Sequence, residues 1–70
     1  MMTIQVDARG LSCPQPVIVT RKAIQADKYP IVVLVDTVTS RENVRRMAEK
    51  QGCHVQIAQH DDEFTLTLTR

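Results

Sequence analysis

The sequence predicts an α+β protein, a two-layer α/β sandwich with the element order βαβαββ. Three features carry that prediction. Ile31 to Val35 is an unbroken aliphatic run, mostly β-branched, as in a central strand. Residues 64–69 alternate, with Phe64, Leu66 and Leu68 on one side, as a half-buried strand does. Two stretches of helical character, from near residue 13 to 26 and from about residue 40 to the stop at Gly52, separate the strands.

Each element follows from local chemistry. Residues 3–7 alternate polar and apolar, a short strand with Ile4 and Val6 inward. Residues 8–12 form a loop in which Gly10 supplies turning freedom. A helix starts near Cys13, with Pro14 at its first position, where a missing N–H leaves no helical bond unmade. Pro16 is tolerated for the same reason. Pro30 disfavours helix at Tyr29 and closes the segment. After the central strand, Thr39 with Glu42 fits a capping box. Val44, Met47 and Ala48 mark the buried face of the second helix. Cys53, Val55 and Ile57 then alternate inward, and residues 60–63 form a polar turn.

Right-handed crossovers that progress the same way put both helices on one face of a mixed four-stranded sheet. The last strand runs antiparallel through its short turn. The other face stays open, in keeping with the outward set His54, Gln56, Thr65, Thr67 and Thr69.

Composition excludes several functions. With 70 residues the chain makes one domain, 1–70. Nine Lys and Arg against eight Asp and Glu leave a net charge of +1, less than a dedicated nucleic-acid binder carries. No Trp, one Tyr and one Phe offer no platform for stacking bases. No stretch approaches the roughly 18 apolar residues of a membrane span. The first residues lack a signal-peptide pattern, so a cytoplasmic location is expected. Cys13, Cys53, His54 and His60 have no zinc spacing, and no metal site is expected. The two histidines read as surface residues.

Cys13 is the candidate working residue. A thiol reacts as a thiolate, and helix starts favour negative charge through their free N–H groups. Pro14 and Pro16 remove two of those donors but stiffen the turn that holds the sulfur outward. Arg9 and Gly10 shape the approach loop, and Arg9 is a candidate for adding positive charge. The competing reading is a small buried thiol under a helix cap.

The pattern Asp7-x-Arg9-Gly10-Leu11-x-Cys13-Pro14-x-Pro16-Val17, followed by Arg21-Lys22-Ala23, resembles the signature of the TusA/SirA sulfur-carrier family. The likeness extends over essentially the whole chain. The stretches Val35-Asp36-Thr37, Ser40-Arg41-Glu42-Asn43-Val44 and Gln51-Gly52-Cys53-His54-Val55 most resemble the N-terminal TusA-like domain of YedF-type proteins, which are loosely associated with selenium metabolism. The resemblance implies a carrier that takes a sulfane sulfur, or selenium, onto Cys13. The donor would be a cysteine desulfurase or a rhodanese-like enzyme, and the cargo would pass to an acceptor protein thiol. No metal and no organic cofactor is implied. Carriers for tRNA thiolation usually have Asp-Asp-Pro where Asp36-Thr37-Val38 stands here, so this chain departs from them. In YedF-type proteins a DsrE-like domain follows, so 1–70 is expected to stand alone or to form one unit of a longer chain.

Other residues enter as secondary candidates. Arg41, Arg45 and Arg46 lie on the second helix, either as a solvated, charge-laced face or as a basic docking patch. That patch carries the alternative function, a non-catalytic interaction module for protein or RNA. Ile18 and Val19 turn toward opposite flanks of the first helix, so at least one is expected to be partly exposed beside Cys13. Cys53 reads as a core thiol, with a resolving partner for Cys13, and hence a redox switch, as the other reading.

Overall fold

The structure, a computed structural model, describes residues 4–70. Thr3, expected in the first strand, lies outside the described residues. The elements are β1 (Ile4–Asp7), α1 (Gln15–Ala26), β2 (Ile31–Val35), α2 (Val38–Lys50), β3 (His54–His60) and β4 (Glu63–Thr69). The expected βαβαββ order and mixed sheet are both found.

Strands lie in the order β1-β2-β4-β3. β1 runs parallel to β2, and β4 runs antiparallel to both β2 and β3. The crossover through α2 places β3 two strand positions beyond β2, leaving a gap one strand wide. The tight turn at Asp61 and Asp62 then folds β4 back into the gap, and Asp61 adopts a left-handed φ of 55° there. Val33 consequently pairs with Val6 on one side and Leu66 on the other.

Alternation along the two central strands decides which face is covered. Ile31, Val33, Val35, Phe64, Leu66 and Leu68 are buried, whereas Val32, Leu34, Thr65 and Thr67 are only half-buried. Both helices pack on the first set. α1 contributes Pro16, Thr20 and Ile24, and α2 contributes Ser40, Val44, Met47 and Ala48. Each fully buried aliphatic side chain stabilises by roughly 1.5–3 kcal/mol, so this layer is the main source of stability. The one buried threonine of α1 is satisfied within its own helix, its hydroxyl donating to the Pro16 carbonyl at 2.7 Å.

Three local expectations need correction. Pro14 is the N-cap of α1 rather than its first residue, because the Gln15 N–H closes a turn onto the Ser12 carbonyl at 2.8 Å. Pro16 then occupies the second helical position, still within the first turn, whose N–H groups have no helical acceptor. The cap of α2 is Thr37, not Thr39: its hydroxyl accepts from the Ser40 N–H at 3.0 Å. Glu42 takes no part in a capping box, since Arg41 and Arg45 hold its carboxylate. Ile57 faces the helices but stays 39% exposed, because β3 is an edge strand and burial fades along it from Cys53 through Val55. Val19 packs half-buried against the core while Ile18 is exposed, so at least one of that pair lies open, as expected.

Candidate functional site

The loop between β1 and α1 is pinned at several points. The Ala8 N–H donates to the Leu34 carbonyl at 2.8 Å, and Ala8 itself is buried. Arg9 grips both carboxylate oxygens of Asp7 at 2.8 Å and reaches Glu63 at 3.1 Å. That grip holds the Asp7 carboxyl down at about 2. The Gly10 N–H donates to the Asp36 carboxylate at 2.9 Å, and Gly10 has a φ of +78°, a conformation a side chain would strain. The loop therefore reaches α1 in a defined position and leaves Cys13 exposed just before the cap.

Arg9 and Gly10 thus fix the loop, but the Arg9 guanidinium is engaged by two carboxylates and not by the Cys13 sulfur. The positive charge near Cys13 has another source. Cys13 and Pro14 stand at one end of a groove of about 400 Å³ between the two helices. Val17 and Met47 supply apolar lining, Arg21 comes from α1, and Arg46 and Lys50 come from α2. Asn43 reaches across, its side-chain amide 4.0 Å from the Cys13 sulfur and oriented to donate to it. No Asp or Glu lines the groove.

Of the groove residues on the α2 side, only Arg46 is among the candidate site residues expected from the sequence. The signal was present in the spacing: Asn43, Met47 and Lys50 recur at helical intervals, as do Pro14, Val17 and Arg21 on α1. What the spacing could not supply was which flank of one helix would face the other.

Arg41 and Arg45 lie apart from the groove and are neutralised. Arg45 pairs with Glu42 at 2.7 Å and Glu49 at 2.9 Å, which holds the Glu42 carboxyl below its ordinary range. Arg41 pairs with Glu42 and sits 4.8 Å from the centre of the Phe64 ring. The three arginines therefore do not form one basic patch. Ile18 is 39% exposed on the outer side of α1, while Val19 is turned into the core.

Cys53 has the opposite environment. It is a free thiol, 6% exposed, with its sulfur 3.6 Å from the Tyr29 hydroxyl. It does not line the groove that holds Cys13. Among the described residues, no group of three or more His, Cys, Asp or Glu is arranged to hold a metal ion. No helix among them is long and apolar enough to cross a membrane.

Residues 4–70 match the family described as sulfurtransferase TusA. The chain belongs to that family. A SirA-like protein from Desulfitobacterium hafniense, known from its crystal structure, shares 34% identity with this TusA-family chain. The alignment covers 96% of this chain and 95% of the other, with a TM-score of 0.87. No curated protein matches at a significant level. Membership makes this TusA-family protein a sulfur carrier or sulfurtransferase, a role that implies relay partner proteins.

Proposed function

We propose that Cys13 is the sulfur-carrying residue, taking a sulfane sulfur from a donor persulfide and passing it to an acceptor thiol. The observation that supports this reading is that Cys13 is exposed and lines a carboxylate-free groove. A thiol must be reached by another protein's sulfur to serve in exchange, and Cys53 is enclosed.

The chemistry balances without an added oxidant or reductant. The Cys13 thiolate attacks the outer sulfur of the donor R–S–SH. The inner S–S bond breaks, R–S⁻ leaves, and Cys13 carries S–SH. An acceptor thiolate then attacks that outer sulfur, and Cys13 leaves as a thiolate. Both steps are exchange at sulfur, governed by access and by the leaving group. Pro14 and Pro16 hold the turn that presents the sulfur, Gly10 and Arg9 hold the loop behind it, and Asn43 donates toward it. The acceptor reaction makes this a relay, so the partners are a desulfurase or rhodanese-like donor and a thiol protein downstream.

The test is mass spectrometry of the intact chain after exposure to a persulfide donor. One added sulfur, about 32 Da, is expected on the wild type, lost again on adding an acceptor thiol. Cys13→Ser should take up none while keeping the native circular dichroism spectrum. An adduct of equal yield on folded Cys13→Ser defeats the assignment.

A further inference from the structure

The groove beside Cys13 has a charge pattern that sulfur exchange alone does not require. Of the nine Lys and Arg, Arg9, Arg41, Arg45 and Arg70 are engaged in ion pairs. Arg21, Arg46 and Lys50 form none among the described residues, and all three line the groove. Their side chains are exposed, and no carboxylate shares the lining with them. Three uncompensated cations around a partly apolar channel attract an anionic occupant with some apolar surface of its own.

We propose that this groove seats an extended acidic segment of the partner protein, the same segment that carries the partner's reactive cysteine. The proposal rests on the reading of Cys13 as the sulfur-exchanging residue and adds what recognises the partner. Helix geometry sets the spacing. Arg21 lies six residues beyond Gln15, the first residue of α1, about 9 Å along the axis from the helix start that Cys13 precedes. Arg46 and Lys50 lie three and seven residues beyond Asn43, which reaches the sulfur, or about 5 and 11 Å. An extended chain advances about 3.3 Å per residue, so a partner whose sulfur meets Cys13 would place carboxylates about two to four residues from its cysteine. Val17 and Met47 would meet an apolar side chain between them. A nucleic-acid strand fits less well, because the groove has no aromatic side chain for its bases.

The test uses three synthetic peptides, each with one cysteine activated as a 2-pyridyl disulfide. They carry Glu, Gln or Lys at the second and fourth positions after it. The Cys13 thiolate attacks the peptide sulfur, the peptide disulfide bond breaks, and pyridine-2-thiolate leaves and takes up a proton as the thione. The thione is followed by absorbance, and the adduct is mapped to Cys13. The Gln peptide reports the reactivity of the thiol itself, so a groove that fails to discriminate is distinguishable from a sulfur that cannot exchange.

At low salt the Glu peptide should react at least about tenfold faster than the Lys peptide, within the range electrostatic steering supplies, and the gap should narrow at high salt. Arg46→Gln with Lys50→Gln should remove most of that ratio. Lys22→Gln with Lys28→Gln removes the same net charge away from the groove and should keep it. A wild-type ratio near one overturns the proposal, as does a ratio that survives loss of Arg46 and Lys50. Protection of Cys13 by a short oligoribonucleotide but not by an unactivated Glu peptide also overturns it.

Discussion

The two cysteines share a chemistry and differ in almost everything around it. Cys13 stands exposed on a loop pinned by Asp7, Asp36 and Glu63, lining a groove that also carries Arg21, Arg46 and Lys50. Cys53 follows the stop of α2, where the Gly52 N–H closes onto the Glu49 carbonyl at 3.0 Å and Gly52 takes a φ of +87°. Its sulfur packs into the aliphatic core against the Tyr29 hydroxyl. Arg70 lies over the Tyr29 ring at 5.8 Å and pairs with Asp27. The difference teaches that position on the fold, rather than residue type, decides whether a thiol can exchange or only fill space.

The sharpest contrast is in alkylation. Iodoacetamide should modify Cys13 in the native protein at least about a hundredfold faster than Cys53, because a core thiol reacts only through local or global opening. Peptide mapping over time reads both rates at once, and the two should converge in denaturant. Comparable native rates would erase the distinction.

Stability should show the reverse order. Cys53→Ser places a hydroxyl in the apolar core and should cost roughly 1–3 kcal/mol, read as a lower denaturant midpoint. Cys13→Ser, at an exposed position, should stay within about 0.5 kcal/mol of wild type. Thr37→Ala should fall between them at about 1 kcal/mol, through loss of the cap that starts α2 and so places Asn43 and Arg46.

Much of the fold was legible because burial writes itself into alternation. Ile31 to Val35 and the Phe64, Leu66, Leu68 set marked the two central strands before their neighbours were known. The position of β4 between β2 and β3 was not legible, since pairing partners are set by long-range packing. At the site, Cys13, Pro14, Pro16 and Gly10 were visible as a local motif. Arg21 and Asn43 stood in the matching stretches without a role, and Lys50 in none, because a groove between two helices is a property of neither helix alone. The loop-shaping role of Arg9 was legible, but what engages its guanidinium was only half so: Asp7 is two residues away, whereas Glu63 lies 54 residues away in the chain. Thr37 and Thr39 are equally good caps by type, and only the end of β2 chooses between them.

A smaller effect separates the two regions by pH. On the Cys13 side, the folded state holds the Asp7 carboxyl at about 2, chiefly through the Arg9 hydrogen bond, against an ordinary 3.8. A depressed carboxylate stabilises the fold above pH 3.8 and loses that contribution as pH falls toward about 2. On the Cys53 side, burial first, and then the Cys53 contact, raise Tyr29 above its ordinary 10.0. The folded state then holds the phenol proton more tightly than the unfolded chain does. That contribution is present below pH 10.0 and declines as pH rises beyond it. Denaturant midpoints should therefore lose acid sensitivity in Asp7→Asn and alkaline sensitivity in Tyr29→Phe.

The central claim meets its most direct test in tandem mass spectrometry of the digested wild-type chain, loaded by a persulfide donor under native conditions. The extra sulfur should appear on the peptide containing Cys13 and none on the peptide containing Cys53. Label found mainly on Cys53, or on neither cysteine while the unfolded chain takes it up readily, would contradict the claim.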